Sequence, residues 1–543
     1  MSSLRKSIVI GVFLATSVTV CASVANANGP AGGSTASIRS MAGNLAVGTA
    51  HACAIVEGSV YCWGDNAEGQ LGTLDSSVAA SNIPIKVAGI STAVAVTAGY
   101  AHTCALLANE TVSCWGSNQS KNLGRATGTN GEPAVVSGLS GVKAISSWNA
   151  TTCAIVGSSR GLKCWGANMG ATGSMLGRTT SNGSSDADAT PGDVTGLTSG
   201  VQAVSVGQGS ACALMTDKTL KCWGSNWEGR LGDDTTTATT DTSGPVSVYG
   251  LTDVAAVSVG SSHACAVVSS GKVYCWGSWE SGQLGIDLGI NDIAEITSRG
   301  SGHRPLETLD ARASSNYLLN AQAISAGSAF SCAVRTTGVI SCWGMNSSGE
   351  MGTGGKSQYL LAPVSVSGIT DAAVVAAGTS FACAMSTTSV VKCWGGGGFA
   401  TNAGQIGNGS NAEALTPATV TGVVAQTITF ASLADKAAGD AAFTVSATAT
   451  SGGPVSFAST TTSVCTVSGT TVTLVTPGTC TISASRAAYG LYKAADSVSR
   501  SFTIAGSKPT ATTADATAVG PTTATVNGSV NPGGASTTVT FEY

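Results

Sequence analysis

Apolar residues alternate with small or polar ones in short runs from about residue 38 to residue 424, and the runs return at a regular interval. Ala93-Val94-Ala95-Val96 and Val254-Ala255-Ala256-Val257 each lead into a glycine. A second run, Cys-Ala-apolar, follows within five residues, then a polar turn, then Cys-Trp-Gly. P-x-x-V segments at Pro133, Pro245 and Pro363 lie upstream of other copies. Period-two runs of this length, bounded by Gly, Pro and Asn, predict strands, and each copy offers four of them. Seven copies whose first cysteines stand 49 to 67 residues apart predict a seven-bladed β-propeller.

The register of one hairpin follows from the first copy, His51 to Gly64. With Glu57-Gly58 as a two-residue turn, Val56 faces Ser59, Ile55 faces Val60, Ala54 faces Tyr61 and Cys53 faces Cys62. Facing Cα atoms in an antiparallel pair are about 4.5 to 5.5 Å apart, within reach of a disulfide. The same logic predicts six further bridges: Cys104 with Cys114, Cys153 with Cys164, Cys212 with Cys222, Cys265 with Cys275, Cys332 with Cys342 and Cys383 with Cys393. His51, His102 and His263 each stand two residues before a cysteine, which raises zinc as an alternative. Thr151, Ser210, Phe330 and Phe381 take that place in the other copies, and zinc would need four converging ligands per blade. No metal and no cofactor are expected.

The first copy reads as lacking its upstream strands, while Pro417 to Val424 reads as an upstream segment with no hairpin after it. The last segment is therefore expected to complete the first blade and close the ring. Trp63, Trp115, Trp165, Trp223, Trp276, Trp343 and Trp394 occupy the Cys-Trp-Gly position and read as core residues. Trp148, Trp227 and Trp279 are not explained by the repeat. Trp148 stands where six other copies have a glycine five residues before the first cysteine (Gly48, Gly99, Gly207, Gly260, Gly327, Gly378). The connections from first to second strand and from third to fourth strand leave the same side of a propeller. All three extra tryptophans are thereby expected on one face, where they are the candidate binding residues.

G-x-x-H-x-C-A-L and C-W-G-x-N-x-x-G-Q-L-G together resemble the repeats of the regulator of chromosome condensation family, in the cysteine-paired form of bacterial secreted proteins. The resemblance covers residues 38 to 424 and implies the propeller. For function it implies only a range, from guanine nucleotide exchange through ubiquitin ligase modules to inhibition of an enzyme.

Beyond the propeller the texture changes. Residues 1 to 27 combine Arg5 and Lys6, an apolar run from Ile8 to Val20 and Ala25-Asn26-Ala27, the pattern of a secretory signal peptide, with a linker at 28 to 37. The run is shorter than the ~20 residues of a spanning helix, and Val20 before Cys21 departs from the lipoprotein pattern. No transmembrane segment is expected in the mature chain. Residues 425 to 505 alternate in short runs with Gly-Gly-Pro and Pro-Gly turns, resembling a bacterial immunoglobulin-like β-sandwich; Cys465 and Cys480 are expected to bridge there, though the sequence leaves open whether their strands face one another. Residues 506 to 543 resemble the opening strands of a fibronectin type III-like module, an incomplete second sandwich. The whole is read as an all-β chain.

Charge and chemistry narrow the function. Only 10% of residues are charged and the net charge is −4, with no Lys/Arg cluster after the signal peptide, so no nucleic-acid partner is expected. An oxidising compartment suits the cysteines. The polar linkers 178 to 193, 233 to 244 and 286 to 320 lack the spacing of a calcium loop. Gly157-Ser158-Ser159-Arg160-Gly161 matches the nucleophile elbow but falls in a hairpin turn, and Gly354-Gly355-Lys356-Ser357 has Glu350 where a phosphate loop begins with Gly. The expectation is an exported binding protein, secreted or at a cell surface, with the periplasm as a further location. One propeller face would hold a protein or glycan ligand. A glycan lyase or hydrolase using blade-loop carboxylates is the enzymatic alternative.

Overall fold

The computed structural model describes residues 43–543 apart from 76, 127–129, 170–173, 179–186, 236–240, 287–304, 309–317, 397–402, 534–535 and 543. The proposed signal peptide lies outside these residues, as do 179–186, 236–240, 287–304 and 309–317 of the three polar linkers. The described chain forms two compact units, one comprising residues up to Thr419 without 388–391, the other 388–391 with Val420 onward.

The first unit contains seven four-stranded antiparallel sheets, spanning 45–86, 93–135, 142–193, 201–247, 254–307, 321–365 and 372–419, here blades 1 to 7. Their first strands touch one another in sequence, and the first strand of blade 1 touches that of blade 7, so the first strands form the inner wall of a closed ring. Hydrophobic clusters lie between neighbouring blades: Val60, Leu71 and Val87 of blade 1 pack with Val96, Ala105 and Trp115 of blade 2.

The hairpin register holds residue for residue in blade 1, where Cys53 faces Cys62 and Val56 faces Ser59. All seven expected repeat pairs are disulfide-bonded within their own blades. Cys53 is joined to Cys62, Cys104 to Cys114, Cys153 to Cys164 and Cys212 to Cys222. Cys265 is likewise joined to Cys275, Cys332 to Cys342 and Cys383 to Cys393, and the Cα–Cα distances of the seven are 4.0 to 4.1 Å. Those distances fall short of the 4.5 to 5.5 Å expected for facing residues and lie nearest the close, non-hydrogen-bonded kind of antiparallel pair. Glu57 and Gly58 both adopt left-handed φ (49° and 75°), as a tight two-residue turn of this hand requires.

Ring closure departs from the sequence expectation. Leu45–Val47 supplies the first strand of blade 1, pairing with Ala52 to Ala54, so that blade already has four strands. Ala414–Thr419 pairs with the third strand of blade 7, not with blade 1. The P-x-x-V segments are in turn the outer strands of the preceding blade rather than upstream strands of the next. Each outer strand carries a proline or directly follows one (Pro84, Pro133, Pro191, Pro245, Pro305, Pro363, Pro417). An outer strand has a free edge, where a residue without an N–H costs no ladder bond and discourages pairing with another chain. That is why the prolines belong at the rim.

Contacts across each interface close the ring. Every Cys-Trp-Gly indole donates to a main-chain carbonyl of the preceding blade: Trp115 to Gln70, Trp165 to Asn122, Trp223 to Met175, Trp276 to Arg230, Trp343 to Gln283 and Trp394 to Glu350, at 2.8 to 3.1 Å. Trp63 of blade 1 completes the set by donating to Gln405 of blade 7 at 3.0 Å. These tryptophans are fully buried, so they are core residues and also inter-blade bonds. A Cβ on Gly407 would stand 2.7 Å from Trp63 Nε1, so the turn that carries Gln405 must end in glycine to come this close.

In the second unit, a four-stranded sheet (Lys436–Ala437, Ala495–Ala505, Gly478–Arg486, Ser456–Ser459) and a three-stranded sheet (Phe443–Thr444, Thr471–Leu474, Cys465–Ser468) enclose one apolar core. The bridge between Cys465 and Cys480 joins the two sheets. Phe443 meets Phe502 at 5.5 Å between ring centres within that core. Thr510–Thr517 and Thr525–Asn531 then form a separate hairpin whose first strand is exposed throughout.

Candidate recognition face

Two turns of every blade leave the same side of the propeller: the first-to-second turn near the axis and the third-to-outer turn farther out. They are bonded together, because the residue after Cys-Trp-Gly donates its N–H to the inner turn: Asp65 to Ala50, Ser117 to Ala101, Ala167 to Ala150, Ser225 to Gly209, Ser278 to Ser262, Met345 to Ala329 and Gly396 to Ser380. A backbone tied at both turns presents its crest residues in fixed places.

The framework beneath is repeated. Asn66, Asn118, Asn168, Asn226 and Asn346 each accept, through Oδ1, the N–H of the apolar residue that follows the turn, at 2.9 to 3.1 Å. Near the axis, the glycines pack in file: a Cβ on Gly48 would lie 2.4 Å from the Gly99 carbonyl, and one on Gly378 would lie 2.5 Å from the Gly48 carbonyl. Only glycine allows the inner turns to converge this closely. Blade 3 departs: Trp148 holds the glycine position, and Asn149, with φ 48°, accepts the Tyr100 N–H on its carbonyl, which a Cβ on Gly99 would approach to 2.5 Å.

On this framework the crests vary. The inner turns present Thr49, Tyr100, Asn149, Gln208, Ser261, Ser328 and Thr379, all at least partly exposed and none charged. The outer turns of blades 1 to 6 present Ala67, Gln119, Met169, Trp227, Glu280 and Ser347. Asn149 Nδ2 lies 3.0 Å from Met169 Sδ, joining inner and outer crests of blade 3.

The three extra tryptophans have distinct settings. Trp227 opens a short 3-10 turn, Trp227–Gly229, and is 60% exposed. Trp148 is the last residue of its strand, paired with Thr151, and lays part of its ring on the core between blades 3 and 4. Trp279 stands where blades 1 to 4 and 6 have the turn asparagine and lies partly against the apolar cluster shared by blades 4, 5 and 6. Sequence reasoning did not single out Tyr100, which is 59% exposed; its position directly after Gly99, at an inner crest, is the signal that was available.

The motif histidines serve the interfaces. His51 Nε2 meets Thr103 Oγ1 at 2.9 Å, His102 meets Thr152 at 3.0 Å and His263 meets Ser331 at 2.7 Å, each in the next blade. Thr103 donates onward to the Gln70 carbonyl, so it accepts from the imidazole. Where the first position is Thr151, Ser210, Phe330 or Phe381, the facing position of the next blade is Ala211, Ala264, Ala382 or Ala52. Burial pushes the His51 and His263 pKa down to about 3 and that of His102 to about 4.

The remaining sequence motifs are also structural. Arg160, in the elbow-like stretch, donates from Nε and Nη2 to the Val201 and Gln202 carbonyls of blade 4 at 2.7 Å each. Lys356 pairs with Glu413 of blade 7 at 2.6 Å. Glu350 takes the place of Gln70 and Gln283; its Oε2 accepts the Ser348 N–H at 2.8 Å, and burial raises its pKa to about 7.

A closed ring of seven antiparallel sheets with variable crests on a constant framework defines a propeller scaffold. Its repeats are of one established kind: the Regulator of chromosome condensation (RCC1) repeat matches residues 57–106 and 222–267, and a second description of the same repeat matches 93–121, 201–230, 254–283 and 321–350. The propeller is of the RCC1 type. The chain is 22% identical over 331 residues to the ultraviolet-B receptor UVR8 of Arabidopsis thaliana, covering 60% of this chain and 69% of that one. It is 30% identical over 240 residues to the human E3 ubiquitin-protein ligase HERC2, covering 42% of this chain but only 5% of HERC2. Among solved structures, Prp20p of Saccharomyces cerevisiae, described with its binding to Gsp1p and histones, superposes with a TM-score of 0.55 at 19% identity, over 68% of this chain and 87% of that one.

Proposed function

We propose that this chain is an exported binding protein that captures a protein or glycan ligand on the inner-crest side of its propeller, with Trp148, Trp227 and Trp279 among the contact residues. The observation that carries this reading is the contrast between constant framework and variable crest on one side of the disc, with an indole 60% exposed at Trp227. Exposed tryptophan is costly in water and productive at an interface. Prp20p supports the use of such a scaffold for binding, since it is described as binding Gsp1p and histones. Export is supported by the apolar run after Arg5 and Lys6 and by the repeat disulfides, which persist in oxidising surroundings. In this reading the stretch 425–505 and the hairpin after it are immunoglobulin-like and fibronectin type III-like spacers that carry the propeller at a cell surface.

The test is capture from the producing organism's culture medium on the immobilised chain, repeated with Trp148→Ala, Trp227→Ala and Trp279→Ala combined. Capture should weaken more than about tenfold. Because Trp148 and Trp279 also touch blade cores, the variant must keep its bridges and a single melting transition. Undiminished capture by a folded triple variant would remove this face from consideration.

A further inference from the structure

Resting on the recognition face just proposed, we infer that its ligand is an uncharged polysaccharide, stacked on Trp227 and Tyr100 and hydrogen-bonded by the inner crests. The inner ring carries the argument. Seven blades place a crest residue there, and the seven are threonine, tyrosine, asparagine, glutamine, serine, serine and threonine. Every one of them can donate or accept a hydrogen bond, and none carries a charge. A protein partner held by ion pairs would find no counter-charge among these crests, and an acidic polymer would find no cation among them.

The aromatic residues sharpen the class. Tyr100 and Trp227 are 59% and 60% exposed, in blades 2 and 4, with Asn149 and Met169 of blade 3 between them. Rings exposed to this degree offer flat apolar faces, and the neighbouring crests offer amide and hydroxyl groups. A pyranose ring needs both, because one of its faces is a sheet of C–H bonds and its rim is a ring of hydroxyls. A purely apolar ligand would strand the amides and hydroxyls without partners.

The main chain that carries both rings is held in advance. The Tyr100 N–H donates to Asn149 O, and Gln208, Ser261 and Ser328 donate in the same way to Gly260, Gly327 and Gly378 of the following blades. Trp227 rides on a turn closed by Gly229 N–H to Asn226 O at 3.0 Å and by Leu231 N–H to Asn226 Oδ1 at 3.1 Å. Arg230 enters from the same turn, its Nη1 3.5 Å from a Cβ placed on Gly209 of the inner turn, and Glu228 lies 3.8 Å from Nη2. Glu228 sets an opposite charge beside Arg230, so this turn does not offer an unpaired cation to an anionic ligand. Crests whose main chain is already fixed lose little backbone freedom on binding, which suits a ligand of many weak contacts.

The test is retention of the full chain on cellulose, chitin, starch and an insoluble β-glucan, with heparin and polygalacturonate as charged comparisons. Retention by at least one neutral polysaccharide, undiminished in molar salt, is expected. Trp227→Ala and Tyr100→Ala should each weaken it about tenfold, while Glu57→Gln in an opposite-side hairpin should leave it unchanged. Failure to be retained by any neutral polymer, or retention only by the charged ones with loss in salt, overturns the glycan assignment. If a protein is then captured from culture medium in a Trp227-dependent way, the recognition face stands and its ligand class is protein. Retention on a neutral polymer that is indifferent to both aromatic substitutions overturns the proposal that the polysaccharide stacks on Trp227 and Tyr100 at this face.

Discussion

Trp63 Nε1 donates to the Gln405 carbonyl at 3.0 Å across 342 positions of sequence, and this bond is the last of seven equivalent ones that join each blade to its predecessor. Its partner turn lies in blade 7, so the bond spans the seam where the chain's first and last blades meet. No strand is exchanged across that seam among the described residues. Trp63→Phe keeps the ring in the cluster but leaves a buried carbonyl without its donor. Such a loss costs about 1–3 kcal/mol. The midpoint of urea unfolding should fall accordingly, and an unchanged midpoint would show that packing alone closes the seam.

The three interface histidines predict acid sensitivity of a stated sign. Their folded pKa values, about 3, 4 and 3 for His51, His102 and His263, lie below the ordinary 6.5, so the unfolded chain binds protons that the folded chain refuses. Stability is therefore full above pH 6.5 and is lost progressively as pH falls toward 3 or 4. At pH 5 the loss is at most about 2 kcal/mol per histidine. Replacing His263 and Ser331 together by Phe and Ala copies the interface between Phe330 and Ala382, and denaturation followed across this range should show a shallower decline than in the parent. An equal slope would place the acid sensitivity elsewhere.

Glu350 predicts the opposite trend. Its carboxyl, ordinarily near 4.5, is held protonated up to about 7 by burial, so folding becomes less favourable as pH rises through that interval and levels off above it. Gln70 and Gln283 fill the same place in other blades without this cost. Glu350→Gln should raise stability at pH 8 by no more than about 3 kcal/mol and change it little at pH 5. Thermal melts at the two pH values read the difference.

The repeat disulfides should be inert while the ring is folded. All fourteen of their cysteines are 0% exposed. Each closes a loop of nine to eleven residues, worth about 2.7 kcal/mol on the chain-entropy estimate. Reductant alone should leave the bridges intact in alkylation mass spectrometry, and reductant with denaturant should open them together. Replacing Cys53 and Cys62 by Ala should lower stability by about 2–3 kcal/mol.

The hairpins, the cysteine pairs and the number of blades could be read from the chain because their cause is local. Cys53 and Cys62 are nine positions apart, and a two-residue turn leaves one register between them. The assignment of outer strands was not local. A segment such as Tyr359–Ser365 lies between two hairpins and can pair with either, and its proline marks an edge without saying which blade owns that edge. That ambiguity produced the mistaken closure by Pro417 to Val424.

The sequence by itself determined the alternation that makes strands, the turns that pair them and the repeat that makes a propeller. Only the tertiary structure decided that the Cys-Trp-Gly indoles bond the preceding blade, that histidine faces threonine or serine while phenylalanine faces alanine, and that uncharged crests gather around one mouth of the ring. The physical reason is distance along the chain. Partners such as His51 and Thr103 or Trp63 and Gln405 have no periodic signal linking them, and their pairing exists only once the blades are stacked and the ring has closed.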